Sequence, residues 1–384
     1  MFPSSKTSEV ITTSVLLTDG SFKHTLAAVR SLGIKGIDST VVDSSIFAQS
    51  FYSAFCKRRY IIPTPSKSPK KYILHLRRIL EKHTHNVLLP IGWESNYYIS
   101  TYRHQLEPLV SIPLADHDKM VIAANKDKTV KFASQIGVNT PKTFYPQTLE
   151  DIVEIAKNHE FPLVIKSSVD AGYIFYAQSR DDLQKYFIKM KSLRPIVQEY
   201  IQGYGCGYFA LYKDGKCLAQ FMHRRLREYP ISGGPSVAAE AYYSKDLQEQ
   251  GKKLLDGLNW TGVAMVEFKR DMNDGKYKLM EINPKFWGSL ELAIASGVDF
   301  PYLAYQMAMD VEFSPVMKYN TKMKFRWPFP GDLLHALETR SLRDFFSRFG
   351  DYRYQDDIYL RDMGPLVMQF MLTLNSVRKR HVNR

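Results

Sequence analysis

The sequence predicts an α/β protein with an open parallel sheet at its N-terminal end, and three observations carry that reading. Short apolar runs alternate with helical spacing through residues 1–118. The runs end in turn residues, Asp19-Gly20 and Gly92-Trp93-Glu94, where parallel sheets present their ligand-binding edge. From residue 201 onward, two long apolar stretches fold back on Asp-Gly turns, at Asp214-Gly215 and Asp274-Gly275.

Taken in order, SVLLTDG reads as a strand and SFKHTLAAVRSLGIKG as a helix stopped by glycine. STVVDSS is a second strand, SPKKYILHLRRILEKH a basic amphipathic helix, NVLLPIGWES a buried strand, and LVSIPLA a further strand. The region is Rossmann-like, but TDGSFKHT has a single glycine, which argues against a dinucleotide fingerprint. Residues 119–200 form a second unit. It has a helix over DKMVIAANKDKTVKFASQIG, a helix over LEDIVEIAKNHE, the strand FPLVIKSS, a helix over RDDLQKYFIKMKSL and the strand PIVQEYI. Residues 201–310 hold the two hairpins, a helix between them (SKDLQEQGKKLLDGL) and two closing helices. Residues 311–384 are a mixed extension with a basic end.

Composition is that of an ordinary globular chain, 45% hydrophobic and 24% charged over 384 residues. The three cysteines, Cys56, Cys206 and Cys217, make neither a disulfide framework nor a zinc site, so a reducing cytoplasm is expected. No run is long enough to span a bilayer, and no secretory signal is expected at the N-terminus. The net charge of +13 fits an anionic partner. Its basic clusters are Lys57-Arg58-Arg59, His223-Arg224-Arg225 with Arg227, and Arg378-Lys379-Arg380-His381. No nucleic-acid module accompanies them, and nucleic acid is not expected as a partner.

The last hairpin holds the sharpest chemistry. In LMEINPKFWGS, Glu281 and Asn283 are two residues apart on a strand and face one side, and Glu267 in VEF can join them from the partner strand. Three hard oxygen donors in apolar surroundings suit Mg²⁺, which keeps waters and substrate phosphate oxygens as ligands. Lys166 ends an apolar strand beside Ser167, Ser168 and Gly172, a candidate phosphate clamp. Lys126 lies in the helix before the Gly137–Pro141 stop. IVQEYIQG can offer backbone groups to an adenine edge. In HRRLREYPISGGPS, period-2 alternation puts Arg225 and Arg227 on one face and Arg224 on the other, and Arg225 is favoured for an anionic acceptor.

The order Lys126, Lys166, Gln198-Glu199-Tyr200-Ile201, Glu267, Glu281, Asn283, behind a Rossmann-like unit, resembles the ATP-grasp superfamily over residues 10–310. The likeness is to the carboxylate–amine ligases and the large subunit of carbamoyl phosphate synthetase. It implies an ATP-grasp fold, with a Rossmann-like domain at 1–118, a lid subdomain at 119–200, a catalytic subdomain at 201–310 and an extension at 311–384. By the same resemblance Lys126 and Lys166, with Ser167 and Ser168, bind ATP phosphates, and Gln198, Glu199, Tyr200 and Ile201 bind the adenine. Glu267, Glu281 and Asn283 hold Mg²⁺, with Mn²⁺ as an alternative ion, and Arg225 and Lys285 act on the acceptor. The implied reaction joins a small carboxylate to an amine through an acyl phosphate, releasing ADP and phosphate. Alternatives are phosphorylation of carbamate or bicarbonate, a non-catalytic ATP-binding regulator, and a nucleic-acid or membrane-surface binder. Three features depart from the family pattern: one glycine in SSVDAGYIFY, no acidic residue in GYGCGY, and Lys285 where arginine is usual. A lysine keeps the charge there but loses the bidentate fork. Oligomeric state is open, a homodimer included.

Overall fold

Three of the N-terminal apolar runs become strands of one parallel sheet, because the segments between them carry the chain back across a face. The computed structural model describes residues 13–168, 173–231, 234–347 and 354–371. In it β1 (Ser14–Leu17), β2 (Asp38–Asp43), β3 (Cys56–Ile61) and β4 (Val87–Leu89) pair in the order β3-β2-β1-β4, all parallel. Helix α1 (Lys23–Ile34) buries Ala27, Ala28, Val29 and Leu32. The face of α2 (Pro69–Lys82) made of Tyr72, Ile73, Leu76, Ile79 and Leu80 is buried while its lysines and arginines face out. α3 (Trp93–Thr101) starts directly after β4 and its Gly92 turn. Two expectations change here. The exposed basic run Lys57-Arg58-Arg59, which has no apolar pattern, lies in the edge strand β3. LVSIPLA is not a strand: it makes isolated bridges at Ser111 to Val87 and Leu114 to Gly262, and Pro113 has no N–H to extend a ladder.

The single helix expected near residue 120 is two, α4 (His117–Ala124) and α5 (Lys126–Gln135). Asn125 between them is extended, at φ −103° and ψ 112°, and its side-chain amide donates to the Val121 carbonyl at 2.6 Å. Asparagine competes for backbone groups in this way and so breaks helices. The break puts Lys126 at the first position of α5, where its N–H donates to the Ser168 carbonyl at 2.8 Å.

A second sheet, antiparallel, has the order β5-β8-β6-β7. It comprises β5 (Thr143–Phe144), β6 (Leu163–Ser167), β7 (Ile174–Ala177) and β8 (Pro195–Glu199). Helices α6 (Leu149–Asn158) and α7 (Arg180–Met190) cover it, burying Ile152, Leu183 and Phe187 against Leu163, Ile165 and Val197. Thr148 and Asp151 form a capping box at the start of α6.

The third sheet has seven strands. They are β9 (Gly203–Lys213), β10 (Lys216–Glu228), β11 (Ser236–Ala241), β12 (Gly262–Asp271), β13 (Tyr277–Asn283), β14 (Lys324–Arg326) and β15 (Tyr354–Asp356), in the order β13-β12-β9-β10-β11-β14-β15. Asp214 and Gly215 turn the first hairpin with φ of 48° and 73°, the primed geometry that matches strand twist. Successive β9 residues serve the two faces of the sheet. Tyr208, Ala210 and Tyr212 join the core with α8 (Lys245–Gly257), and Phe209 and Leu211 join the core with Trp287, α9 (Leu290–Ala295) and α10 (Phe300–Ala308). After β14 the chain forms α11 (Leu333–Glu338) and α12 (Leu342–Ser347). Residues 364–371 are helical and return to the first sheet. There Asp362 accepts from Arg30 Nε at 2.8 Å and from the Ala54 N–H at 2.7 Å. The three cysteines are free thiols, and no helix among the described residues is long and apolar enough to cross a membrane.

Candidate active site

The site is built on one row of residues across four strands. His223 on β10 stands opposite Gly207 on β9, Gly207 opposite Glu267 on β12, and Glu267 opposite Glu281 on β13. Asn283 lies on the same side as Glu281 and donates its amide to Glu281 Oε1 at 2.8 Å, as alternation along the strand requires. A bulge interrupts β13, since Phe268 pairs with Leu279 while Glu267 pairs with Glu281. The extra residue, Met280, lines the same cleft as Glu281.

Glycines set the depth of the trough. GYGCGY places Gly203, Gly205 and Gly207 at every second position of β9. Arg225 of β10 lies across Gly205, where a Cβ would come within 3.1 Å of its Cδ. Its Nη2 reaches Glu267 Oε1 at 2.7 Å, two strands away, and its Nη1 lies 3.5 Å from Glu228 Oε1. The neighbouring arginines are held by other acids. Arg224 binds Glu240 and Arg227 forks onto Asp332 at 2.7 and 2.9 Å. A register shift between Arg225 and Arg227 lets Arg225, Leu226 and Arg227 all border the cleft. Of the three arginines it is Arg225 that meets the acidic row.

The lysines arrive from the second sheet and from α5. Lys126 Nζ sits 3.2 Å from Glu281 Oε2. Burial lowers the Lys166 ammonium to about 8, against the opposing pull of Glu281, with Lys126 adding to the fall. Burial raises the Glu267 carboxyl and Glu281 adds to the rise, while Arg225 resists it. Burial also acts upward on Glu281, but Lys126, Asn283 and Lys285 together hold it below the ordinary carboxylate range. The two carboxylates of the row are therefore pushed apart, one toward the neutral form and one toward the anion.

Between the second and third sheets the row opens into a cleft of about 1060 Å³. Lys126, Lys166, Gln198, Glu199, Tyr200, Ile201, Arg225, Glu267 and Glu281 all line it. Gln198 donates to Thr143 Oγ1 at 2.9 Å, and Glu199 accepts from the Lys142 N–H at 2.9 Å, so both side chains also tie β8 to β5. Tyr200 is half-exposed, with its ring edge-on to Tyr176, and Ile201 is buried. Ser167 and Ser168 are buried and do not line the cleft; the Ser168 hydroxyl donates to the Arg194 carbonyl. Lys285 is in the turn after β13, where it shares a smaller recess with Trp93, Lys126, Glu281 and Asn283. Residues 169–172, with Gly172, and residues 232–233, with Gly233, lie outside the described residues.

The lining residues that the sequence analysis does not name include Lys269, Glu228 and Met280. Lys269 follows Glu267 by two positions on β12, a spacing that could have revealed it, and its Nζ lies 3.4 Å from the Ile201 carbonyl. Glu228 reaches the cleft through its contact with Arg225, and Met280 through the bulge. Among the described residues no group of three or more His, Cys, Asp or Glu side chains gathers as a metal cage. Two facing carboxylates with one amide form a short donor set of hard oxygens. That set fits a cation which keeps phosphate and water ligands, and does not fit an all-protein site.

A family model described as ATP-grasp in the biosynthetic pathway with Ter operon matches residues 194–328, the span that contains the acidic row and its trough. The chain has the ATP-grasp fold, and residues 194–328 carry the family match. Among curated proteins it is 20% identical over 305 residues to the carbamoyl phosphate synthase large chain of Pyrococcus furiosus, covering 73% of this chain and 28% of that one. Across such relatives the chain spans 19% to 58% of their length. Solved structures with this ATP-grasp fold include a biotin carboxylase–β-γ-ATP complex from Campylobacter jejuni, with a TM-score of 0.66, 15% identity, and coverage of 81% of this chain and 74% of that one. An L-amino acid ligase from Bacillus licheniformis has a TM-score of 0.63, 16% identity, and coverage of 77% and 74%. In this ATP-grasp fold the second and third sheets are the two faces of the cleft, and the acidic row lies on the third.

Proposed function

We propose that the chain is an ATP-dependent ligase that joins a small carboxylate to an amine. The observation that carries this reading is the Glu267–Glu281 row, set in one cleft with Lys126, Lys166 and Arg225. In it Lys126 and Lys166 face the phosphates, and Gln198 to Ile201 on the strand between the sheets face the adenine. Glu267, Glu281 and Asn283 would hold Mg²⁺, which when bound supplies Lewis acidity and charge neutralisation at the phosphates. Arg225, with Lys285 behind the row, orients the acceptor carboxylate.

An acceptor carboxylate oxygen attacks the γ-phosphorus, the bond to the leaving ADP oxygen breaks, and an acyl phosphate forms. The amine nitrogen then attacks the acyl carbon, loses a proton, and phosphate departs. No covalent bond to the protein is needed. The residues of the cleft align the reactants in line and offset charge as it moves. The likeness to an L-amino acid ligase supports this reading. A second reading, phosphorylation of carbamate or bicarbonate, is favoured by the carbamoyl phosphate synthase relatives.

The experiment is ADP release by the purified protein across a panel of amino acids, small carboxylates and amines, with hydroxylamine present or absent. ADP release that requires a carboxylate, together with hydroxamate formation, supports the ligase. ADP release on bicarbonate alone supports the second reading. Tight nucleotide binding with no ADP under any pairing overturns both.

A further inference from the structure

The C-terminal helix at residues 364–371 is docked on one side only. Met368 and Gln369 are buried, Gln369 donates to Gln49 Oε1 at 2.5 Å, and Gly364 lies so close to the Tyr52 carbonyl that a Cβ would come within 2.2 Å. The opposite side is apolar and faces water. Met363, Val367, Phe370 and Met371 recur at the spacing of one helical face and are 41–56% exposed, with Leu360 just ahead of them at 84%. Ring contacts beneath the surface link this helix to α12: Phe370 to Phe329 at 6.5 Å, Phe329 to the buried Phe345 at 6.2 Å, and Phe345 to Phe346 at 5.2 Å, with Phe346 itself 64% exposed. On the Tyr52 side lie Ile46 and Phe47, both more than half exposed. Single exposed apolar residues are ordinary, whereas a connected set of this kind marks a surface that something covers.

Basic groups border this face, and the cleft uses none of them. Lys57 and Arg59 are exposed on the edge strand β3, Lys57 with Asp38 at 3.8 Å and the Arg59 guanidinium 5.8 Å from the centroid of the Tyr52 ring, while Arg58 faces the other side of the strand toward His83 and His85. Arg343 and Arg361 are exposed on the segments that carry Phe346 and Met363, with the exposed acids Glu338 on α11 and Asp344 on α12 nearby.

We propose that this face docks the protein on an anionic lipid surface. Its apolar centre would enter the boundary between headgroups and acyl chains, and its basic border would meet the lipid phosphates and carboxylates. Charge selects this occupant over a second copy. A two-fold contact sets the same patch against itself, which would bring like-charged borders together. The aliphatic and aromatic centre selects lipid over nucleic acid, since those side chains offer a phosphate backbone nothing. Charges on an edge strand also block strand pairing, but that role leaves the apolar helix face unexplained.

The test sediments the full chain with phosphatidylcholine vesicles, with and without phosphatidylserine. Retention should be at least roughly tenfold stronger with phosphatidylserine and should fall with salt. Each basic residue at such a surface contributes about fivefold, so changing Lys57 and Arg59 together to alanine should weaken retention roughly twenty-five-fold, and Arg58→Ala, on the other side of the strand, should matter less. Val367→Asp with Phe370→Asp should abolish it. All these side chains are exposed and off the cleft, so the thermal midpoint and ATP affinity should be unchanged. Equal retention on both vesicle types, or none on either, overturns the proposal. So does a solution dimer that Phe370→Asp dissociates, which assigns the face to a second copy. DNA retention that survives the double aspartate change overturns it by assigning the charge to nucleic acid.

Discussion

Removing the Arg225 fork should unbalance Glu267 in a way that a double-mutant cycle can measure. The two side chains are 15% and 19% exposed and meet at 2.7 Å. An exposed pair contributes about 0–1 kcal/mol, and a buried pair broken from one side costs about 3–5 kcal/mol. This pair sits nearer the buried case, so Arg225→Met is expected to lose about 2–3 kcal/mol of stability. Glu267→Gln in the same chain removes the stranded charge and should return at least about 1 kcal/mol. The assay is urea unfolding of nucleotide-free wild type, both single variants and the double. The pH dependence gives a second readout. Burial already raises the Glu267 carboxyl, and without Arg225 it rises further. A carboxyl whose folded pKa is raised holds more protons in the folded than in the unfolded state. Its contribution is complete below the unfolded pKa and is lost as pH climbs through the folded one. Arg225→Met should therefore lose more stability than wild type between acidic and neutral pH, and the double variant should not. A coupling below about 0.5 kcal/mol, with parallel pH curves, would refute the reasoning.

Glu281→Gln keeps the shape of the row and removes its lower-pKa carboxylate, so turnover should fall at least about a hundredfold with folding intact; turnover within a few-fold of wild type argues against a metal role. Lys166→Ala should weaken ATP binding more than adenosine binding, because only phosphates meet the ammonium, and equal weakening would make the residue structural. In wild type, ATP affinity should hold below pH 8 and decline as pH rises through the Lys166 value of about 8, where the ammonium loses its charge, while adenosine affinity stays level. Arg224→Met should leave acceptor saturation nearly unchanged, since its fork is held by Glu240, whereas Arg225→Met should weaken acceptor affinity roughly ten- to a hundredfold.

The acidic row was legible in the sequence because it rests on local rules. Two-residue spacing puts Glu281 and Asn283 on one side, and the Asp274-Gly275 turn brings Glu267 back beside them. Strand and helix alternation likewise sufficed for the N-terminal parallel sheet, whose β1, β2 and β4 are apolar runs of the expected length. β3 escaped because an edge strand can be paired on one side and still carry three exposed cations, which leaves no apolar pattern to read. The helix break at Asn125 escaped because the helical spacing of apolar residues continues through it. One extended residue, bonded back to Val121, brought Lys126 to the head of α5 and into reach of Glu281.

What the sequence by itself determined is which residues share a strand face or a turn, since those relations are set by backbone period and φ preferences within a few residues. Tertiary structure alone decided partners drawn from distant strands. Arg225 and Glu267 meet because β9 lies between their strands and presents Gly205 and Gly207 there, so a side chain can cross an intervening strand. Met280 enters the cleft because the β12–β13 register slips by one residue. The Glu267 and Glu281 carboxyls move in opposite directions because burial acts on both, while Lys126, Asn283 and Lys285 reach only one strongly enough to reverse it. Those are distances between elements, and no pattern along the chain encodes them.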